Sequence, residues 1–223
     1  MFMGLAPEYW RAHVWRMTTK TAAVYAKLDA PLNIAFALGA LGGLRPGEAF
    51  ALRWDRVDID RRRIHLQESV TGRLKDKDSR IVPILDPLLP ILKAWRDRTG
   101  GGRLLAPPLR VDGRKMDKGT WSERLRVALA DLKIKRKGLG WYECTRHTFA
   151  SQWVMHGGSI EKLKEILGHY SVIITERYAH LRPDLFRDED LSTLPEISQQ
   201  LASGQNVVGI RFRNRRTNAG AAL

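Results

Sequence analysis

Two arginines, a histidine and a tyrosine lie along this chain in an order that suits phosphodiester chemistry. They are Arg45 in Gly43-Leu44-Arg45-Pro46-Gly47-Glu48, Arg146 in Arg146-His147-Thr148, His169 in Leu167-Gly168-His169, and Tyr178 nine residues beyond that histidine. A phosphodiester in transfer gathers extra negative charge on its non-bridging oxygens. Arginine is permanently charged and can bond two oxygens at once, which makes it the natural clamp. A phenol, with a pKa of about 10, becomes a nucleophile only with help from cations or a base. Lys75, in Arg73-Leu74-Lys75-Asp76-Lys77-Asp78, falls at a hairpin tip from which a lysine can protonate a leaving oxygen. Each residue alone is ordinary. Among 38 Lys+Arg, a given arginine is usually a solvated or phosphate-positioning charge, and Lys77 reads as a plain turn lysine. A lone histidine after a glycine caps or packs as readily as it reacts, and a lone tyrosine on a helix face is usually just packing.

The elements that must position these groups read as mostly helical, with a small sheet in the first half. Pro31 to Leu41 is apolar and Ala-rich and predicts a buried helix. Pro46 opens a second, short helix with Glu48 in its first turn, so Arg45 sits at a rigid corner and Glu48 can pair with it. Trp54 to Ile59, Arg63 to Glu68 and Ser79 to Leu85 predict three strands of an antiparallel meander, with a turn over Val70 to Arg73. Pro87 to Arg98 is an amphipathic helix closed by Gly100-Gly101-Gly102, and Arg103 to Gly119 reads as loop. Further helices are predicted over Thr120 to Leu132, Thr145 to Met155, Ser159 to Leu167 (Ser159 as cap) and roughly Val172 to His180. The fold class is α+β, mainly α.

Bulk composition favours a polyanion as partner. The 223 residues carry a net charge of +14, which predicts salt-sensitive attraction to nucleic acid. No apolar run reaches the roughly 20 residues of a membrane span, and Glu8, Arg11, His13 and Arg16 interrupt any signal-peptide pattern. Cys144 is the only cysteine, so no internal disulfide forms and a cytoplasmic, nucleoid-associated location is expected. Cys144 and His147 have a metal-like spacing, but no second ligand pair lies nearby to complete a zinc site. From Gly204 onward there is no acid and there are four arginines, a composition expected of a mobile tail.

Taken together, the motifs resemble the catalytic domain of the tyrosine recombinase, or phage integrase, family over roughly Leu32 to Leu185. The first arginine box is Gly43-Leu44-Arg45-Pro46-Gly47-Glu48 followed by Leu52-Arg53-Trp54-Asp55-Arg56-Val57-Asp58. The hairpin lysine is Lys75 with Val82-Pro83 behind it, and the second arginine box is Arg146-His147-Thr148-Phe149-Ala150-Ser151. Leu167-Gly168-His169 and Tyr178 complete the ordered set. The resemblance implies a site-specific DNA recombinase. In it Tyr178 attacks a phosphodiester, forms a 3′-phosphotyrosyl bond and frees a 5′-hydroxyl. Arg45, Arg146 and His169 hold the phosphate oxygens, and Lys75 protonates the leaving oxygen. The bond energy stays in the phosphotyrosine, so the resemblance implies neither ATP nor metal. It implies double-stranded DNA as partner and self-association on DNA, as a tetramer. Residues 1–188 are expected to form the catalytic domain and 189–223 a C-terminal segment and basic tail that binds DNA or packs on a neighbouring protomer. A type IB topoisomerase shares this chemistry, and a catalytically impaired DNA-binding remnant is the reading from another class.

The chain departs from the family pattern in two places. Three residues before the second arginine, where the family usually has a histidine that moves a proton, stands Glu143. His147 belongs to the Arg-His-Thr triplet and is out of that register. Two readings of Glu143 compete: it faces the phosphate and acts as the base for Tyr178, which requires its pKa to rise toward neutrality, or it turns away and pairs with a cation such as Arg146 or one of Lys133 to Lys137, with water as the base. An ionised glutamate repels a phosphate, which favours the second. Only about thirty residues precede the first core helix, so the N-terminal core-binding domain of full-length integrases is expected to be absent.

Overall fold

A helix that is apolar all round belongs inside a fold, and the segment after Pro31 is of that kind. In the computed structural model of the protein it forms α2 (Leu32–Gly42), with Phe36, Ala37 and Leu38 at or below 1% exposure. The described residues are 19–69, 72–73, 79–101, 105, 118–135 and 138–182, all within the unit Met1–Pro183. Lys75, Lys77 and the basic tail lie outside them.

A helix over residues 19–27 (α1) precedes α2, and α3 (Pro46–Ala51) follows it, with Pro46 in its first turn as expected. The sheet orders β1 (Val57–Asp58), β2 (Arg63–Leu66) and β5 (Arg80–Pro83) side by side, antiparallel throughout. A second two-stranded ladder, β3 (Glu68–Ser69) with β4 (Gly72–Arg73), stands where a turn was expected. The strand expected from Trp54 shrinks to β1. The Arg53 guanidinium bonds Asp55 at 2.9 and 2.6 Å, the Arg56 amide bonds the Arg53 carbonyl, and the backbone curls into a 3₁₀ turn over Trp54–Arg56.

Helices α4 (Leu89–Thr99) and α5 (Lys118–Asp131) come next. Leu105 lies within the stretch expected to be loop, yet it is buried and tied down. Its amide bonds the Leu52 carbonyl and its carbonyl accepts from Trp95 Nε1.

The helix expected from Thr145 starts four residues earlier, at Trp141. Trp141 sets that start. Its ring meets Phe36 and Phe50 edge-on, and its Nε1 donates to the Trp121 carbonyl at 2.7 Å, while Phe50 stacks on Trp121. The helix runs through a π-helical segment, Glu143–His147, before α6 (Thr148–Met155). The wider turn changes which side chains share a face, and such bulges mark functional sites in many helices. Helix α7 (Ile160–Leu167) is capped by Ser159, which accepts from the Lys162 amide as expected. The helix expected to reach His180 is broken. α8 stops at Glu176 (Val172–Glu176) and a 3₁₀ turn spans Ala179–Leu181. Tyr178 lies between them at φ −96°, ψ −9°, in the sparsely populated bridge region. No helix of the described residues is long and apolar enough to cross a membrane.

Candidate active site

Arg45 and His169 both follow helix ends that turn on glycine. α2 ends at Gly43 (φ +72°) and α7 at Gly168 (φ +64°), both in the left-handed region where a side chain is strained. A Cβ on Gly43 would sit 2.7 Å from the Phe149 ring, and one on Gly168 would sit 2.8 Å from Arg80 Cδ. Glycine is therefore needed at each corner for backbone conformation and for close approach. At the second corner the His169 amide itself closes the cap by bonding the Lys164 carbonyl, so the helix end fixes where His169 begins.

Arg146 braces the two corners against each other. Its Nη1 donates to the Gly43 carbonyl at 2.9 Å and its Nη2 to the Leu167 carbonyl. Each carbonyl lies two residues before a predicted site residue. The side chain is fully buried, and among the described residues its Nε has no hydrogen-bond partner. Burial, then the charge of Arg45, pulls its pKa down to about 10, which leaves it cationic at neutral pH. Sequence reasoning places Arg146 on the phosphate. The geometry adds that the same guanidinium holds the site's backbone.

Arg45 is half-exposed and anchored. Its amide and Nη1 both donate to the Glu48 carboxylate, at 2.7 and 2.9 Å. The pairing was expected, but a third member was not. Arg80 donates to both Glu48 oxygens, at 2.9 and 2.8 Å, and its Nε bonds the Ile166 carbonyl at 2.7 Å. The sequence did hold a signal for Arg80. It shares the inward parity of β5 with buried Val82, and an arginine on that side needs an acid opposite. Arg80 thus ties the sheet to α3 through Glu48 and to the end of α7 through Ile166.

His169 is half-buried, and its Nδ1 lies 2.8 Å from Oγ1 of fully buried Thr175. With the hydroxyl donating to Nδ1, the ring keeps its proton on Nε2. Burial, then the positive charges of Arg146, Arg45, Arg177 and Arg80, lowers its pKa to about 4. His169 is therefore a neutral ring at physiological pH, able to donate one hydrogen bond from Nε2.

Tyr178 is 7% exposed. Burial and then Tyr142 push its phenol above the ordinary value, against the opposing charges of Arg177 and Arg146. Its Oη is hydrogen-bonded to Nδ1 of His147. Sequence reasoning did not assign His147 to this site, because the family's histidine position, three residues before Arg146, is held by Glu143. The π-helical segment turns His147 toward Tyr178. Glu143 meanwhile accepts from the Gly140 amide at 3.0 Å; Arg136 and Lys137, among the cations expected to pair with it, lie outside the described residues. Lys75 lies outside the described residues.

The described residues hold no group of three or more His, Cys, Asp or Glu arranged to bind a metal, and Cys144 is buried in the core. The assembled groups are a cationic pair, a neutral donor ring and a buried phenol bonded to an imidazole. Such a set can bind a tetrahedral anion and offer it an oxygen nucleophile.

Residues 14–184 match the model of the phage integrase family. The chain is 29% identical to tyrosine recombinase XerC of Xylella fastidiosa (strain M23) over 146 residues, which cover 62% of this chain and 45% of that protein. It is 32% identical to a putative integrase of Pseudomonas phage Pf1 over 137 residues, 61% of this chain and 37% of that one. The chain thus spans about half the length, or less, of these relatives. Among solved structures, the catalytic domain of bacteriophage HP1 integrase superposes with a TM-score of 0.52 at 26% identity, covering 88% of this chain and 95% of that one. The XerH recombinase bound to palindromic difH substrate, a post-cleavage complex, shares the fold with a TM-score of 0.59 at 16% identity, covering 79% of this chain and 50% of that one.

Proposed function

The chain belongs to the phage integrase family, and from that premise we propose that it is the catalytic domain of a site-specific DNA recombinase acting through Tyr178. The observation that carries this reading is the single hydrogen-bonded frame around Arg146. It links the Arg45 corner to the His169 corner, and the charge of the same Arg146 acts on the buried Tyr178 phenol. Arg45, Arg146 and the Nε2–H of His169 hold the non-bridging oxygens of a DNA phosphate. Tyr178 attacks the phosphorus and the 5′-oxygen leaves, protonated by Lys75. The bound strand is then exchanged and religated. The sequence of events conserves the phosphodiester energy and calls on neither ATP nor a metal. Double-stranded DNA is the partner, in keeping with a net charge of +14 and with a DNA-bound structural neighbour. Self-association on DNA, as a tetramer, belongs to the same reading.

The test is covalent capture on nicked duplex DNA, followed by strand exchange between two duplexes. An SDS-resistant protein–DNA adduct and recombinant products are expected. Relaxation of supercoils without exchange would make the chain a nicking-closing enzyme, and absence of adduct would make it a binding remnant.

Two variants separate clamp from anchor. Arg146→Lys keeps the charge and loses the fork, and one ammonium cannot span the Gly43 and Leu167 carbonyls as the fork does. Adduct formation should fall by ~10²–10³-fold, as when one oxyanion donor is lost. The melting midpoint should fall too, because a buried carbonyl left unbonded costs about 1–3 kcal/mol. DNA affinity should stay near wild type; a parallel fall in affinity and cleavage would make Arg146 a DNA anchor only. Glu143→Gln keeps an acceptor for the Gly140 amide and removes one half-buried charge. A Coulomb interaction through largely aqueous surroundings is worth ~1 kcal/mol, so adduct formation should change by less than about tenfold. Adduct formation abolished in Glu143→Gln, with binding and stability intact, would assign Glu143 the proton transfer directly.

A further inference from the structure

We infer that His147 is the base of this site: its Nδ1 takes the Tyr178 proton as Oη attacks phosphorus. The inference rests on the proposed function and adds the one group that reading lacks. Four observations support it. First, His147 Nδ1 and Tyr178 Oη are already hydrogen-bonded, although the two residues are 31 apart in sequence. No motif spacing dictates that contact; the π-helical segment and the break after α8 create it. Second, the bond has one workable polarity. Burial holds the phenol above its ordinary value, and burial holds the imidazole below 6.5, so at neutral pH the proton sits on Oη and the lone pair on Nδ1. Third, an acid lies beside His147 to favour a transient imidazolium. Glu143, four residues earlier on the same helix, raises its basicity, while Arg177 and Arg146 lower it; the Tyr142 ring packs edge-on at 4.7 Å. Fourth, Glu143 keeps its carboxylate on the Gly140 amide and is hydrogen-bonded there, not to Tyr178.

The step balances. The Oη–H proton moves to Nδ1, the freed electron pair forms the Oη–P bond, and the P–O5′ bond breaks. Its electron pair stays on the leaving oxygen, which takes a proton from a lysine or from water. Religation runs the same path backward, and the imidazolium returns its proton to Oη. Glu143 acts through His147 by favouring the imidazolium, which accounts for an acid where a phosphate contact would be penalised.

The bond alone is compatible with a purely structural brace, so the test needs readouts that a brace would not move. The tautomer comes first, on the full chain without DNA. Nitrogen-15 correlation spectra, with His147 assigned by its loss in His147→Gln, should show Nδ1 unprotonated and Nε2 protonated. On titration His147 should gain its proton below the ordinary 6.5. An Nδ1–H tautomer has no lone pair at Nδ1 to accept the Tyr178 proton and would overturn the inference.

Kinetics come second. A pool of nicked duplexes of random sequence is incubated with the protein, and duplexes recovered as SDS-resistant adducts serve as substrates in single-turnover runs across pH. His147→Gln retains a side-chain hydrogen-bonding group and removes the base. Adduct formation should drop by ~10²–10⁴-fold, the acid limb of the wild-type pH profile should vanish, and DNA affinity should be unchanged. Added imidazole should restore part of the rate in His147→Ala. A wild-type rate and profile in His147→Gln would reduce the contact to a brace. No adduct from the wild-type protein on any duplex would instead defeat the recombinase reading itself, and this inference with it.

Discussion

Tyr178→Phe is expected to yield no covalent DNA adduct at any pH while binding DNA as the wild type does. The change removes one oxygen. The ring stays in the same buried position, and the hydroxyl's hydrogen bond to His147 is worth about 1 kcal/mol net. The variant should therefore fold normally, with a denaturation midpoint close to wild type and the same denaturant slope. Activity should respond completely, because no other group on the ring can form an ester with phosphorus. SDS gels of protein incubated with nicked duplex, beside a binding titration, read both quantities. Wild-type adduct levels in this variant would remove Tyr178 from the mechanism. The alternative nucleophile would then be Tyr142, which is 36% exposed, packs against the His147 ring and lies under the Arg146 guanidinium; peptide mapping of the adduct tells the two phenols apart.

Glu48→Gln should give the largest loss of stability, about 3–5 kcal/mol, because it breaks a buried ion pair and leaves its partners behind. Glu48 is 1% exposed and accepts from the Arg45 amide, the Arg45 guanidinium and both Arg80 terminal nitrogens. Arg80, with its side chain 8% exposed, would be left with its charge uncompensated. The pH dependence follows from the same geometry. Burial pushes the Glu48 carboxyl up, but the Arg80 hydrogen bonds and charge, with those of Arg45, outweigh it and hold it below its ordinary value of 4.5. A carboxyl held low in the folded state contributes stability above its unfolded pKa and loses it as pH falls through the folded value. The stability gap between wild type and Glu48→Gln should be constant at neutral pH and narrow below about 4.5. Denaturant midpoints at a series of pH values measure it. A gap that persists unchanged to low pH would show that the ion pair contributes nothing beyond shape. Adduct formation should fall as well, since Arg45 loses the acid that fixes it.

The site could be read from the sequence to the extent that its chemistry is local. Gly43 and Gly168 mark helix ends wherever they occur, because only glycine takes a positive φ without strain there, and the residues just after them inherit a fixed corner. The Arg45–Glu48 pairing is a contact across one helical turn, and three-residue spacing is enough to predict it. The apolar run of α2 is a statement about water and needs no partner to be named. In the same way, Ser159 declares a helix start by its own side chain.

What the sequence could not supply are the contacts whose partners are distant or whose register is irregular. Arg80 meets Glu48 across 32 residues and Ile166 across 86, and a surface charge and a buried brace have the same letter in a sequence. Arg146 reads as a phosphate ligand, yet it also spans 103 residues to hold the Gly43 carbonyl, a role visible only once α2 and α7 are packed beside it. The helix is π-helical over Glu143–His147, just after Trp141 packs edge-on against Phe36 and Phe50, so a motif register counted three residues back from Arg146 selects Glu143 where the fold presents His147. Local spacing determined which residues this protein brings to its chemistry. Only tertiary packing decided which nitrogen lies against the Tyr178 hydroxyl, because helical register across an irregular turn is settled by what the neighbouring side chains leave room for.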